Sequence, residues 1–435
     1  MQALSDGNRR AADALLKLHD DAATQRAMVR AWERGDVSTK ELATSLRRYN
    51  EMDASQRAEF DDMVAIGGSD TVRMASKIDR DTLDTLTSRG CSRRLPSVGA
   101  AAAPGTDHQY AVTGVIAQSS GGSCLPSEDK EKLQQGIARA ADGDEIDSYQ
   151  DIDDAVETLE QLDSEGQESA AELVGEFGGE GVTVVNDADA LTETVDGFTS
   201  DEVEDLLVSY DSYQEAGLDG ARSPRAIQDD LNRLATAGDD GVDGIASMIQ
   251  ERTGGGNPKN FKGVDGAAQD ATEKLDEGVK PSNLYLERDI KIDKDEKSDV
   301  EEETDLNPET DLYEQTDIDV DVEGGSATEI KKTNFEPFAE AGFAYEQRAR
   351  ELSNLWKKLN TIAANGDSGR ITITVSRAPD EPISESVLRE LRSNNNNINT
   401  GTLDTDEIST LRDLADEVES DFGVDITFER FGGGN

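Results

Sequence analysis

The stretch DIDVDVEGGSATEIKK, residues 317–332, breaks the pattern of the acidic chain around it. Strict alternation points Val320 and Val322 one way and Asp317, Asp319 and Asp321 the other, because successive strand side chains face opposite sides. Glu323-Gly324-Gly325 reads as a three-residue turn, a common hairpin length in which glycine supplies positive φ. That turn length sets Asp319 across from Glu329 and Asp317 across from Lys331. A two-residue turn would set Asp319 opposite Ile330 instead. Like charges on facing strand positions repel, so carboxylates gathered there invite a divalent cation. Hard oxygen ligands suit Mg²⁺, with Mn²⁺ as its substitute. A lysine beside such a site can hold a water or neutralise a phosphate, which is the chemistry of metal-assisted phosphodiester hydrolysis.

The surroundings of the hairpin define a mixed α/β segment over 257–435. GAAQDATEKLDEG reads as a helix, NLYLERDIKID as a strand and FEPFAEAGFAYEQRARELSNLWKKLNTIA as a long amphipathic helix. GRITITVSR and VDITFERF read as strands, with the helices SESVLRELRS and DEISTLRDLADEVESD between them. The order helix, strand, hairpin, helix, strand, helix, strand is that of a layered α/β domain. Four stretches carry acid-x-Lys: Glu128/Lys130, Asp289/Lys291, Asp295/Lys297 and Glu329/Lys331. Of these, Glu329/Lys331 alone follows an Asp-bearing strand and a glycine turn.

Upstream, the pattern is helical. Residues 8–84 carry apolar positions at spacings of three and four, and Ser38 followed by Glu41 is a capping signal. Residues 95–126 are rich in Gly, Pro and Ser and read as a linker, with one strand candidate at YAVTGVIA. Residues 127–252 return to acidic helical repeats, interrupted at 181–185 by GVTVV, which reads as a strand. The expectation is therefore a helical domain over 1–94, a linker over 95–126, an acidic helical domain over 127–252 and the α/β domain.

Composition narrows the setting. The chain has 435 residues, with 43 Lys plus Arg against 94 Asp plus Glu, a net charge of −51. Lysines number 16, and 11 of them fall between Lys259 and Lys358. The acids fall singly or in pairs within periodic patterns, which favours a folded chain adapted to molar salt over a disordered acidic one. The composition resembles that of haloarchaeal proteins. Residues 1–94 are electrically neutral, with 16 basic and 16 acidic residues. Their Arg-rich faces read as solvated helix surface, with a membrane or partner surface as the alternative. No stretch approaches the apolar length of a transmembrane helix. No signal peptide opens the chain, so synthesis in the cytoplasm is expected, with specialised export left open. His19 and His108 are the only histidines, too few with Cys91 and Cys124 for zinc. The two cysteines read either as one disulfide or as two thiols.

The Asp-bearing strand, glycine turn and Glu-x-Lys strand resemble the core of the PD-(D/E)xK nuclease superfamily, over roughly residues 257–430. The resemblance implies a restriction-endonuclease-like fold and a Mg²⁺-dependent nuclease acting on DNA or RNA. It implies Asp319 and Glu329, with the Ile330 carbonyl, as metal ligands, and Lys331 as the catalytic lysine. Gln347, on the following helix, matches a Gln that members often carry there, which implies a catalytic role for it. Arg348, Lys357 and Lys358 are candidates for contact with nucleic acid. The first-helix acid that members often carry has Glu273 as its candidate here, with Asp270 nearby. A helical front end joined to a terminal nuclease also resembles polymorphic toxins, which implies an immunity protein as partner. Two other readings are carried forward: an intracellular restriction or repair nuclease, and a non-catalytic structural or binding protein of a haloarchaeon or its virus.

Overall fold

The computed structural model describes residues 23–88, 125–142, 146, 148–217, 221–238, 241–253, 258–292, 297, 300, 304, 306–323, 325–331, 342–365, 370–375, 379–393 and 402–430. It is mainly helical, with one small mixed sheet near the C-terminus. In chain order the elements are α1 (Ala23–Arg34), α2 (Thr39–Glu51), α3 (Ala54–Lys77), α4 (Arg80–Thr87), α5 (Ser127–Asp142), α6 (Gln150–Gln161), α7 (Ser164–Phe177) and α8 (Gly179–Thr194). Then come α9 (Ser200–Glu215), α10 (Pro224–Ala235), α11 (Ile245–Thr253), α12 (Pro258–Asp276), β1 (Leu284–Lys291), the single turn α13 (Pro308–Asp311), β2 (Gln315–Val322) and β3 (Ser326–Lys331). The chain closes with α14 (Gly342–Ala364), β4 (Arg370–Val375), α15 (Glu385–Arg392), α16 (Leu411–Phe422) and β5 (Asp425–Arg430). Cys91, Cys124, both histidines and the strand candidate at 110–117 lie outside the described residues.

Contacts divide the chain into two compact units, Met1–Ala190 with Leu206–Asp211, and Leu191–Asp205 with Ser212–Asn435. In the first, α5 packs on both α3 and α7. The Ser38–Glu41 signal forms its capping box: Ser38 N–H donates to Glu41 at 2.8 Å, and Glu41 N–H donates to the Ser38 hydroxyl at 3.3 Å. GVTVV is a correction. It lies inside α8, not in a strand. The valines carry β-propensity, but Val182, Val185 and Ala188 recur every three residues and all are buried at 1 % exposure or less. A Cβ on Gly181 would sit 2.4 Å from the Leu173 carbonyl, so glycine lets this helix lie against α7. Tertiary burial overrides local propensity here. No described helix is long and apolar enough to cross a membrane.

The second unit carries the sheet, ordered β1-β2-β3-β4-β5. The first three strands are antiparallel neighbours, and β3-β4 and β4-β5 are parallel. A parallel neighbour needs a crossover, and α14 supplies it between β3 and β4. Among the described residues the element order over 258–430 is the one the sequence predicts, save for the single turn α13, which falls where the pattern reads as loop. The helix at the head of this segment starts ahead of GAAQDATEKLDEG: α12 begins at Pro258, because proline at the first helical position loses no bond the helix would have made. Trp356, Leu352, Leu355 and Leu359 of α14 join Ile371, Ile373, Val375 and the apolar residues of α15 and α16 in one buried core.

Two features of this unit give direct tests. Gly244, just before α11, has φ +90°, and a Cβ there would fall 1.9 Å from the Leu286 carbonyl. The adjacent Asp243 carbonyl accepts from the Leu286 N–H at 2.9 Å, which ties this turn to β1. Gly244→Ala is expected to cost about 1–3 kcal/mol through the left-handed backbone alone, with the overlap adding to it. A urea midpoint unchanged from the parent would refute this.

The second feature is Glu417 on α16. Burial, with the charges of Asp421, Asp404 and Glu407, pushes its carboxyl up to about 7, against a hydrogen bond from the Asp404 backbone. A folded-state pKa above the unfolded one means that the folded protein binds the proton more tightly. This group therefore favours folding most below about pH 4.5, and the contribution is lost as pH rises to about 7. Glu417→Gln should raise the melting temperature at pH 8 and leave it nearly unchanged at pH 4.5. Equal shifts at both pH values would contradict the assignment.

Candidate active site at the β2–β3 hairpin

The hairpin folds in the register of a three-residue turn. Val320 pairs with Thr328 and Asp321 with Ala327, and Gly325 N–H closes the turn on the Val322 carbonyl at 2.8 Å. This is the register that sets Asp319 across from Glu329. β3 continues through Glu329, Ile330 and Lys331, which pair with Ile373, Thr374 and Val375 of β4. The side chains of Asp317, Glu329, Ile330 and Lys331 lie outside the described part of the structure.

Alternation alone suggests one apolar and one open acidic face, and the structure departs from this. Ile318, Asp319, Val320 and Asp321 are 3 %, 2 %, 0 % and 2 % exposed, so β2 is covered on both faces. Buried carboxylates need compensation, and two arginines provide it. Arg288 of β1 pairs with Asp321 and stacks over the Tyr285 ring at 5.0 Å. Arg252, in the last turn of α11, hydrogen bonds Asp319, and the same nitrogen lies 2.5 Å from Glu287 Oε1. Glu287 is flanked by the pairs Leu286–Val320 and Arg288–Ile318, which puts it beside Asp319 on the neighbouring strand. Neither Arg252 nor Glu287 was legible as a site residue: nothing in ERTGG or YLERD differs from the many other acids and arginines of the chain. Only pairing across 67 residues brings Arg252 to Asp319.

Gln347 is exposed, and its amide donates to Glu351 one turn along α14 at 3.4 Å. Arg348 forms an ion pair with the same Glu351 at 2.6 Å. Lys357 is half-buried, and burial holds its ammonium below the usual lysine range, partly offset by Asp311. Lys358 is 9 % exposed. On α12, Glu273 is exposed and accepts from Gln269 at 3.0 Å, whereas Asp270 is buried.

Two other places could hold a ligand. Asp129, Glu168 and Glu172 bring carboxylate oxygens within 4.8 Å of one another. The Lys132 ammonium already bonds Glu172 there and lies 4.0 Å from Asp129. A cavity of about 720 Å³ is lined by Gly238, Gly241, Gly244, Lys280, Ser282 and Tyr285, among others. Among the described residues, neither Asp319 nor Gln347 lines it.

No family model, curated protein or solved structure matches the chain.

Proposed function

We propose that the protein is a Mg²⁺-dependent nuclease whose site is built on the β2–β3 hairpin. The observation that carries this reading is the hairpin register. It aligns the strand bearing Asp319 with the strand bearing Glu329 and Lys331, next to a parallel β4 reached through α14. The donor set fits the ion: carboxylate oxygens on adjacent strands are hard ligands of the kind Mg²⁺ takes. Asp319, Glu329 and the Ile330 carbonyl would hold it. Bound there, the ion supplies Lewis-acid polarisation of a phosphate and a more acidic water. Lys331 holds that water or neutralises charge on the scissile phosphate. Gln347 and Arg348, at the start of α14, are assigned to substrate contact.

A polyanionic substrate meets a chain of net charge −51. In molar salt the Debye length shrinks to about 3 Å, so long-range repulsion is screened and close contacts decide recognition. We further place the activity in the effector of a haloarchaeal toxin with an immunity protein as partner, a reading that rests on the helical region ahead of the sheet. Growth arrest on expression, relieved by the product of a neighbouring gene, tests that layer.

The nuclease itself is tested by incubating the full-length protein with plasmid DNA and with total RNA, in molar KCl with Mg²⁺. Cleavage that EDTA stops establishes the activity and names the substrate. Intact substrates in the presence of folded protein, with both Mg²⁺ and Mn²⁺, would leave the second reading: a structural or binding protein. The burial of Asp319 on Arg252 favours that alternative.

A further inference from the structure

We infer that Ser88 and Lys130 form a nucleophile–base pair in the first compact unit, able to take the acyl group of a carboxylic ester. Ser88 closes α4 and is exposed. Lys130, in the first turn of α5, is 4 % exposed, and its Nζ lies 3.1 Å from Ser88 Oγ. A buried amine thus meets a hydroxyl that solvent reaches, the arrangement in which a neighbouring base activates a serine. The pair is held from both sides. Gln134, one turn further along α5, donates to the Leu86 carbonyl at 2.6 Å and fixes α5 against the end of α4. The Thr85 carbonyl accepts from the Ser88 hydroxyl at 2.9 Å and from the Ser88 N–H at 3.3 Å.

The charge on the nitrogen decides what the pair can do. As an ammonium, Lys130 only donates to Oγ and serves as a cation at the end of a helix. As a neutral amine, it offers a lone pair to the hydroxyl proton. Burial pushes its ammonium down to about 8, and the charge of Glu59 only partly offsets this. An arginine in its place would keep its charge, whereas a buried lysine gives up its proton readily. In the reaction, Oγ bonds to the carbonyl carbon of the ester as its proton passes to Nζ. The bond from that carbon to the alcohol oxygen then breaks, and the alcohol leaves with the proton from Nζ. The same amine takes a proton from water, which attacks the acyl-serine. The carboxylic acid departs, and the proton returns to Oγ.

The test treats the full-length protein with a fluorophosphonate, whose phosphorus stands in for the carbonyl carbon. The Oγ–P bond forms, the P–F bond breaks and fluoride leaves. Mass spectrometry of the peptide bearing Ser88 locates the adduct and follows its rate from neutral to alkaline pH. The expected result is an adduct at Ser88 whose rate rises with pH through about 8. Lys130→Met should slow it about 10²-fold or more, the loss of a general base. Lys130→Arg keeps a cation and donor at the end of α4 but has no lone pair to offer. It should be as slow, which a lysine of purely structural role would not require, and it serves if the methionine variant does not fold. No adduct at Ser88 in the folded parent overturns the inference. So does a rate that is flat with pH, or one that a folded Lys130→Arg leaves unchanged.

Discussion

Lys331→Ala is expected to slow phosphodiester cleavage by about 10²–10⁴-fold with little change in stability. The loss is that of removing one charge-stabilising or proton-handling group from a transition state. Glu329→Gln should have a larger effect, because an amide binds Mg²⁺ more weakly than a carboxylate, and excess Mn²⁺ should restore part of it. Lys331→Ala should not respond to metal, since the lysine acts on water or phosphate and does not hold the ion. Both residues sit on β3, paired on its far side with β4, so backbone geometry should survive either change. The decisive comparison is initial rate against Mg²⁺ concentration for the parent and the two variants. Cleavage of unchanged rate in Lys331→Ala would remove the hairpin from the mechanism, whatever the parent does.

Asp265→Ala is expected to destabilise the C-terminal unit by about 3–5 kcal/mol, the cost of breaking a buried ion pair from one side. Asp265 is fully buried on α12. It accepts from the Tyr213 hydroxyl at 2.7 Å and from Arg222 Nε at 2.5 Å, while Arg222 Nη2 bonds the Asp265 carbonyl at 2.8 Å. Arg222 also reaches Asp230 at 2.6 Å, so one guanidinium joins α10 to α12. Burial, reinforced by the Asp265 charge, pushes the Tyr213 hydroxyl well above its ordinary range. Truncation leaves that hydroxyl and the arginine facing a void. Asp265→Asn keeps an acceptor of the same shape and should lose less, which separates hydrogen bonding from charge. Urea unfolding followed by Trp356 fluorescence, in a Trp32→Phe background, reads the unit directly. A loss below about 1 kcal/mol for the alanine variant would show that the network is not a buried, cooperative one.

Much of the C-terminal architecture was legible because its signals are local. Alternation gave the strands of the hairpin, two glycines gave its turn, and the three-residue length fixed a register that Val320–Thr328 and Asp321–Ala327 obey. The capping box at Ser38 was equally local. GVTVV misled because β-branched valines serve a buried helix as well as a strand, and only the neighbouring α7 chooses between them.

The candidate site divides in the same way. By itself the sequence determined which residues share a strand and which strands follow one another, since these depend on side-chain alternation and turn geometry over a few residues. Tertiary structure alone decided that β2 is covered on both faces, that Glu287 lies beside Asp319, and that Arg252 holds them both. Burial and ion pairing are set by what packs against a strand from far along the chain. In a sequence with 94 carboxylates, no local pattern marks the few whose charge must be met inside the protein.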